Sequence, residues 1–428
     1  MLSIKNGVLS FQRNNGVKSS NLFYEICLFV LLTGYYLLYL NRVVSMMCVL
    51  TGGAGTVAIV YKKAHDMSFR LPVNSLWYLL FFGFAEASSL WAVSSSQAFF
   101  KYIRLMILIL IISVGIAQYV RTTNDLTRLM KIFMLSVLTA GVVEFIMTPP
   151  EAIKDGYFGG YFSGNNTNTF GYMALCSTIM SFYLAYVKRQ KIWYLLAPVF
   201  FVFCLLSSSR KAMLISILGV CLVIFFSFGK KRHFLHLAIA AAVALILIIL
   251  SLKIDFLYEL IGNRIVTMLD FYKNDSQYTQ LVNSLALRDY YIEFAKQMFR
   301  QKPIIGHGFA NFSTMLYNEG DVGFGVYAHN NYWEILADLG IVGFIIYYWF
   351  YAYLIIKFII RLIKNKEDDV LAFSIPMIIS IMILEWGVVS MASFYTQIVL
   401  SILFTTTYAE NSSAGKRYRY SPVLNGGN

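Results

Sequence analysis

The feature that most constrains this chain is a series of apolar stretches, about twelve in number, that recur along almost its whole length. A helix needs about 20 apolar residues to cross a bilayer, and most of the stretches reach or approach that length. Lipid offers the peptide backbone no hydrogen-bonding partner, so each stretch must be helical. The sequence therefore predicts an all-α integral membrane protein with about twelve transmembrane helices. The predicted spans are Leu22–Leu40, Val43–Tyr61, Ser75–Val93, Phe99–Val120, Ile132–Met147, Thr169–Val187, Ile192–Leu206, Ala212–Phe228, Phe234–Leu252, Gly340–Ile360, Val370–Val389 and Met391–Tyr408.

Composition excludes most other classes of protein. Hydrophobic residues make up 58% of the chain and charged residues only 13%, whereas a soluble protein carries about 25% charged residues. The five cysteines all fall inside apolar stretches, and no Cys/His spacing is typical of a metal site. We therefore expect neither a soluble multidomain protein nor a bound metal or other cofactor.

The connections between the spans are alternately rich and poor in Lys and Arg. Basic connections of a membrane protein stay in the cytoplasm, so this alternation places both termini there and supports an even number of spans. The net charge of +13 then reflects topology, and we expect no nucleic acid partner. The basic set consists of Lys5, Arg13, Lys18, Lys62, Lys63, Arg70, Arg121, Arg128, Lys131, Lys188, Arg189, Lys191, Lys230, Lys231, Arg232, Lys357, Arg361, Lys364, Lys366, Lys416, Arg417 and Arg419.

Only one connection between the predicted spans is long, and the alternation places it outside the cytoplasm. It runs from Lys253 to Asp338 and is the one place where an extracytoplasmic domain could form. We therefore divide the chain into helices 1 to 9 over residues 1–252, an extracytoplasmic catalytic loop over 253–338, helices 10 to 12 over 339–408, and a cytoplasmic tail over 409–428.

Within the long connection, the segment Leu285–Arg300 predicts an amphipathic helix that ends at Lys302-Pro303. The Gly306-His307-Gly308 turn that follows is not a dinucleotide-binding fingerprint, because no strand–helix unit surrounds it. We interpret His307 as a structural residue of this turn. The apolar face of the predicted helix comprises Tyr291, Ile292, Ala295, Met298 and Phe299, and its other faces carry Arg288, Asp289, Glu293, Lys296 and Arg300.

A second histidine, His329, stands just before a helix that runs into the membrane. Asn331 with Glu334 fits an N-cap followed by a side chain that reaches back. The positive end of that helix would disfavour imidazolium and keep His329 neutral and able to accept a proton. The alternative is a surface or capping histidine.

Two cations follow three serines at the outer rim, in Ser207-Ser208-Ser209-Arg210-Lys211. A guanidinium group offers several donors in a plane and matches a phosphate group well. The alternative is that Arg210 and Lys211 extend to the lipid headgroups.

Acidic residues within spans are costly and often functional. We expect Glu144, near the outer end of its span, to be wet, and Glu86 and Glu385 to pair with outer arginines or to join helices as polar contacts. The four such residues are Glu25, Glu86, Glu144 and Glu385.

Taken together, these residues resemble the signature of the O-antigen ligase/polymerase family. Two further patches, Asn165-Asn166 with Phe170-Gly171, and Ser209-Arg210-Lys211-Ala212, also resemble that family. The motifs span about Gly159 to Gly343, and the twelve-span layout extends the resemblance to the whole chain. The main patch comprises Arg288, Pro303, Gly306, Gly308, Asn311 and Phe312, then His329, Asn330, Tyr332, Glu334, Leu336, Leu339, Gly340 and Gly343.

The resemblance implies a membrane glycosyltransferase of the GT-C type, whose donor is a glycan on undecaprenyl diphosphate and whose acceptor is a hydroxyl. It implies no nucleotide sugar and no metal. Arg210 and Arg288 would stabilise the leaving diphosphate, and His329 would take the proton of the attacking hydroxyl. The substrate-binding residues on this interpretation are Lys211, Asn165, Asn166, Asn330, Tyr332 and Glu334.

Three functions stay open at this point. A repeat-unit polymerase of surface polysaccharide is the first interpretation, and a ligase that hands the glycan to a lipid A core is the second. The rival from another class is a flippase for the same lipid-linked oligosaccharide, but carriers commonly show two related halves, and no internal repeat is visible here. The expected location is the bacterial inner membrane. The expected partners are the lipid-linked donor, a glycan or lipid A core acceptor, membrane lipids and a chain-length regulator protein.

Overall fold

The fold is seen in a computed structural model that describes residues 2–5, 8–11, 21–38, 41–95, 102–207, 209–227, 279–319 and 326–410, with a few isolated positions between 249 and 266. Most of these residues lie in helices. The helices are α1 (Leu22–Leu37), α2 (Arg42–His65), α3 (Val73–Ala87), α4 (Ile103–Tyr119), α5 (Thr123–Met147), α6 (Pro150–Lys154), α7 (Thr167–Tyr186), α8 (Trp193–Leu206), α9 (Arg210–Phe225), α10 (Thr279–Gln301), α11 (Phe312–Asn318), α12 (Asn331–Lys364), α13 (Leu371–Glu385) and α14 (Phe394–Thr406).

Each predicted apolar stretch overlaps one of these helices, apart from Phe234–Leu252, which lies outside the described residues except for one isolated position. Among the described residues, α2, α5 and α12 are long and apolar enough to cross a membrane by length and composition. Five shorter apolar helices, α1, α4, α8, α13 and α14, have 10–17 residues. The all-α membrane class is therefore supported, and the count of twelve crossings stays a prediction.

The lateral surface of the bundle is apolar, as a helix surface in lipid must be. On α2, the side chains of Val43, Met46 and Leu50 are more than 60% exposed. On α12, Ile345 and Ile363 are similarly exposed. Because water would disfavour so much exposed apolar surface, these faces fit contact with lipid tails.

One end of the bundle gathers the basic connections. Lys62 Nζ donates to Asn21 Oδ1 at 2.9 Å. Arg121 donates to the Ser68 carbonyl at 2.7 Å. Lys188 pairs with Asp369 at 3.2 Å. We call this the basic end. It brings together the start of α1, the α2–α3, α4–α5, α7–α8 and α12–α13 connections, and the end of α14.

A small antiparallel sheet also lies at the basic end, which the all-α prediction missed. Its strands are β1 (Leu2–Lys5), β2 (Val8–Phe11) and β3 (Arg70–Pro72), in the order β1-β2-β3. The apolar and polar residues of Leu2–Lys5 alternate, which is the strand period. A strand of only four residues gives a weak sequence signal, so short strands are easily missed beside long apolar helices.

Helix α12 is broken at Gly340, whose backbone has φ 63° and ψ −167°. This conformation is open to glycine and strained for other residues. The break leaves room for the turn after α10, which pairs with α12 through its backbone. His307 N donates to the Ala337 carbonyl at 3.1 Å, and Ile341 N donates to the Pro303 carbonyl at 2.9 Å. The short first half of α12 is thereby fastened to α10.

At the break, the backbones of α12 and the turn after α10 lie too close together for either glycine to carry a side chain. A Cβ on Gly340 would lie 2.4 Å from the carbonyl carbon of Ile304. A Cβ on Gly306 would lie 2.3 Å from the Asp338 carbonyl oxygen. Both obstacles are backbone, so neither glycine can be replaced without moving α10 relative to α12.

The amphipathic helix predicted over Leu285–Arg300 is confirmed as part of α10. Its predicted apolar face is correct at Tyr291, Ala295 and Met298, whereas Ile292 and Phe299 are half-buried and Phe294 is buried instead. The side chains of Tyr291, Phe294, Ala295 and Met298 are buried and form a small apolar core with residues of α11 and α12. Arg288 is half-buried on another face of α10.

We expect Gly340→Ala to lower the apparent unfolding temperature of the detergent-purified protein by several degrees. The backbone strain of a non-glycine residue here is about 1–3 kcal/mol, before the clash with Ile304 is added. Gly83→Ala in α3 is the control, because a Cβ there meets nothing within 4 Å. Equal unfolding temperatures for the two variants, measured by fluorescence-detected gel filtration after heating, would contradict the broken-helix geometry.

Candidate functional site

His329 lies in the segment that leads into α12, at the end of the bundle opposite the basic end. Its backbone is in the left-handed region, with φ 53°. Its ring contacts two tyrosine rings. The Tyr327 ring centroid is 4.1 Å away, and the Tyr291 ring of α10 is nearly parallel at 6.0 Å. The imidazole therefore contacts one tyrosine of α10 and one tyrosine of the segment that leads into α12.

The neighbours of His329 fix its backbone. Ala328 N donates to Glu334 Oε2 at 2.6 Å, and Trp333 N donates to Asn330 Oδ1 at 3.1 Å. The prediction that Asn331 caps this helix is wrong, because the N-cap is Asn330. The left-handed turn at His329 brings Asn330 into the extended conformation that a cap needs, and Glu334 reaches Ala328 rather than the cap itself.

Two cations act on the charge of the imidazole. Burial, then the charges of Arg288 and Lys211, lower the pKa of His329 to about 4 from its ordinary value of 6.5. A neutral imidazole at physiological pH is a proton acceptor. The structure thus brings together three residues that lie far apart in the sequence, on α9, α10 and the segment before α12.

Lys211 is held over the connection between α13 and α14. Its Nζ donates to the Gly387 carbonyl at 2.9 Å. A Cβ on Gly387 would lie only 1.5 Å from that nitrogen, so the lysine occupies the space that a side chain would need. Arg210, the first residue of α9, is adjacent to Lys211 in the chain.

The same connection anchors the start of α12. Asn330 Nδ2 donates to the Trp386 carbonyl at 3.4 Å. Asn331 Oδ1 accepts from Ser390 N at 2.8 Å and from Met391 N at 3.0 Å. We call residues 386–391 the anchor turn. Its contacts with both Lys211 and the start of α12 set the distance between the lysine and His329.

Glu385 stands directly before the anchor turn and is 1% exposed. The carboxylate accepts hydrogen bonds from Tyr351 at 2.6 Å, from Tyr348 at 3.2 Å and from Ser390. The expectation that Glu385 pairs with an outer arginine is therefore wrong, and the alternative, a polar contact between helices, is correct. Tyrosine hydroxyls from the second half of α12 supply the donors that a buried carboxylate requires.

The two asparagines of the Asn165-Asn166 patch have different surroundings. Asn166 is the N-cap of α7 and hydrogen-bonds the hydroxyl of Tyr327, the residue that packs on His329. Asn165 Nδ2 instead donates to the Tyr36 carbonyl at 2.6 Å, which joins the patch to α1. Only Asn166 is thereby connected to the histidine.

The patch that contains Phe170-Gly171 is in contact with the patch that contains Ser209-Arg210-Lys211. A Cβ on Gly171 in α7 would lie 2.7 Å from Ser207 Oγ and 2.8 Å from Ser209 Cβ. The missing side chain of Gly171 lets the start of α9 approach the start of α7, which brings Arg210 and Lys211 toward the end of the bundle that carries Asn166.

Three other polar residues bind protein groups. Tyr332 donates to the Met382 carbonyl at 2.8 Å and stacks on Tyr348. His307 is buried, and its Nε2 lies 2.9 Å from the Met298 carbonyl, which fits a structural residue. Glu144 is fully buried and accepts from the backbone N–H groups of Phe162 and Ser163, so the expectation of a wet position is wrong.

Two features of the site carried little or no sequence signal. Tyr327 lies two residues before His329, in an irregular segment whose left-handed turn no local pattern predicts. Gly387 is one glycine among the 28 of the chain, and nothing local indicates that Lys211 covers it.

No group of three His, Cys, Asp or Glu side chains within the described ranges is arranged to hold a metal ion. The charged groups that face His329 are cations, and these suit an anionic ligand.

We expect acid to destabilise the wild type more than His329→Asn. The pKa of His329 is lowered to about 4 in the folded protein. Between pH 6.5 and pH 4, the unfolded chain therefore binds a proton at this residue that the folded chain does not bind. The contribution of this group to stability is complete above pH 6.5 and is lost as the pH falls toward 4. Asparagine tolerates the left-handed backbone and does not titrate.

The measurement is the apparent unfolding temperature at pH 7 and at pH 5. His65→Asn, at a side chain that is 77% exposed, should lose as much on acidification as the wild type. An equal loss in His329→Asn would show that His329 binds its proton normally in the folded protein.

Comparison with known proteins gives one family match. A search of the curated proteins finds no match to the chain. The sequence model of a family described as O-antigen ligase matches residues 195–348. The matched region begins in α8, contains Arg210, Lys211, Arg288 and His329, and ends in α12 beyond the break at Gly340. This match supports the assignment of the chain to the O-antigen ligase/polymerase family.

Proposed function

We propose that this protein is a membrane glycosyltransferase that transfers a glycan from undecaprenyl diphosphate to a hydroxyl acceptor. The observation that carries the proposal is the setting of His329, where burial and the charges of Arg288 and Lys211 favour the neutral imidazole. A proton acceptor beside two cations is what an attack by a hydroxyl on a sugar diphosphate requires. The family match supports the same reaction class.

In the proposed reaction, the acceptor oxygen bonds to the anomeric carbon of the donor sugar, and the bond from that carbon to the diphosphate oxygen breaks. The proton of the acceptor hydroxyl moves to a ring nitrogen of His329. The electron pair of the broken bond stays on the diphosphate, where negative charge grows. Arg288, Arg210 and Lys211 stabilise that charge through charge-assisted hydrogen bonds.

The cations also prepare the base. Burial and then the charges of Arg288 and Lys211 keep His329 unprotonated before the reaction, because a buried imidazolium beside cations is disfavoured. Once the diphosphate binds, its negative charge offsets the cations and imidazolium becomes less unfavourable. The ability of His329 to hold a proton therefore rises when the substrate is present.

We place the basic end in the cytoplasm and the His329 site at the outer face of the bacterial inner membrane. The basic connections on one end support this orientation through the positive-inside rule. A lipid-linked donor in the outer leaflet would then present its diphosphate at the depth of the anchor turn. A chain-length regulator stays a proposed partner.

Among acceptors, we propose the growing repeat-unit chain, which makes the protein a polymerase. The description of the matched family favours a second candidate, ligation to a lipid A core. Both reactions use the same donor and the same chemistry, so they differ in the acceptor alone.

The test is transfer of glycan from a purified undecaprenyl-diphosphate oligosaccharide by protein in nanodiscs. We expect His329→Ala, Arg288→Ala and Arg210→Ala each to lower the rate by about 100-fold or more, as losses of a general base or of transition-state cations do. His65→Ala and Arg128→Ala are matched controls. Both side chains are mostly exposed at the basic end and should leave the rate unchanged.

The products decide among the candidates. A ladder of repeat units supports the polymerase, and a single transfer to added lipid A core supports the ligase. Movement of the donor across the bilayer without release of lipid diphosphate would contradict the transferase function and support the flippase function.

We expect Gly387→Ala to lower the transfer rate through Lys211. The added Cβ displaces the ammonium group from the Gly387 carbonyl. In a Lys211→Met background, the same alanine should cause little further loss, because there is no ammonium group left to displace. A double-mutant cycle on the transfer rate measures this coupling.

Gly53→Ala in α2 is the control for that cycle, since a Cβ there meets nothing within 4 Å. If the losses from Gly387→Ala and Lys211→Met simply add, the anchor turn does not act through the lysine.

A further inference from the structure

A cleft opens beside His329, on the other side of the Tyr327 ring. Its volume is about 90 Å³. Tyr102 and Phe309 form one wall, and Val389 and Met391 from the anchor turn form another. Tyr327 closes the cleft toward the histidine.

The walls combine flat apolar surface with a few polar atoms. The Tyr102 and Phe309 rings meet edge to face at 5.3 Å. Ser313 and Glu334 add a hydroxyl and a carboxylate. This is the chemistry of a site for a neutral saccharide, because the C–H face of a pyranose ring packs on aromatic and aliphatic groups while its hydroxyls bond to oxygen atoms.

The charge of the cleft separates it from the diphosphate site. Among the residues that line it, none is Lys or Arg, and one is the carboxylate of Glu334. The walls of the cleft therefore offer a diphosphate no cation, whereas the charges of Arg288 and Lys211 act on His329. A sugar without charge therefore fits the cleft, and a lipid diphosphate fits the cations.

The position of the cleft places a bound hydroxyl near the base. The Tyr327 ring lines the cleft and lies 4.1 Å from the His329 ring, centroid to centroid. A hydroxyl that projects past the edge of Tyr327 would reach the imidazole. The donor, held by the cations on α9 and α10, would approach the same histidine from another side.

We propose that this cleft is the acceptor subsite, where the terminal sugar of the acceptor glycan binds with its attacking hydroxyl toward His329. The proposal rests on the proposed transferase function and names the part of the site that recognises the acceptor. It also predicts that acceptor choice depends on residues around the anchor turn and α11, which lie apart from the cations that hold the donor.

The test is steady-state kinetics with a labelled donor and an acceptor that cannot itself donate, a repeat unit joined to its lipid through a C-glycosidic phosphonate. Ala392→Phe would fill the cleft, because Ala392 is one of its lining residues. We expect its acceptor KM to rise about 10-fold, which corresponds to about 1.4 kcal/mol of binding, with the donor KM nearly unchanged. Ala54→Phe, on the exposed face of α2, is the matched control.

A gentler variant, Tyr102→Leu, removes one aromatic wall and should raise the acceptor KM several-fold. A higher donor KM with an unchanged acceptor KM would reassign the cleft to the donor glycan and overturn the proposal. Unchanged kinetics in both variants would overturn it as well. A lipid A core acceptor, offered in parallel, shows which acceptor uses the cleft.

Direct binding keeps this test separate from that of the proposed function. The lipid-free repeat-unit oligosaccharide is titrated into the wild type and Ala392→Phe, with binding followed by calorimetry. Weaker binding to the variant supports the cleft even if no transfer is detected. Equal binding to both proteins contradicts the cleft even if the wild type is an active transferase.

Discussion

The site depends on a backbone contact between the break in α12 and the turn that follows α10. Gly340 interrupts the helix, and residues 303–308 fill the gap with hydrogen bonds to both sides of the break. Because these bonds join main-chain atoms, they fix the relative position of two helices without any side chain between them. One helix carries Arg288, and the other begins next to His329. Arg288 and His329 lie near each other because the helices that carry them are joined by backbone hydrogen bonds a few turns away.

A second connection completes the arrangement from the bundle side. The anchor turn receives Lys211 from α9 and both Asn330 and Asn331 from the start of α12. Glu385 stabilises this turn from within the bundle through Ser390 and the tyrosines of α12. The lysine is therefore positioned by the same turn that positions the helix start. Burial and the charges of Arg288 and Lys211 favour the neutral form of His329. This form suits a reaction in which a proton moves to the base while negative charge grows on a diphosphate.

Local sequence patterns predicted the parts of the structure that local physics determines. Apolar length located the helices, the alternation of Lys and Arg anticipated the basic end, and the apolar spacing around Tyr291 predicted α10. The resemblance implied that Arg210 and Arg288 act with His329, and it placed Lys211 among the substrate-binding residues. In the structure, the charges of Arg288 and Lys211 act on His329, and Arg210 is adjacent to Lys211 in the chain. Nothing in the spacing of the sequence would have brought them together.

The predictions that failed concern partners that are distant in the chain. Glu385 binds tyrosines more than 30 residues away, and the Asn331 side chain contacts a turn about 60 residues away. No local pattern encodes such pairs. The cap at Asn330 was missed because the left-handed turn at His329 is a tertiary feature, whereas the capping pattern of Asn331 and Glu334 is a local one. The roles of Tyr327 and Gly387 depend on long-range packing in the same way.

The measurement that tests this account most directly is a cryo-electron microscopy map of the protein in nanodiscs with a non-cleavable phosphonate analogue of the undecaprenyl-diphosphate glycan. The account predicts diphosphate density between Arg288 and Lys211, with the anomeric carbon facing His329 and the cleft at Tyr327 open to an acceptor. Diphosphate density at the basic end, or along the bundle away from α9 and α10, would contradict it.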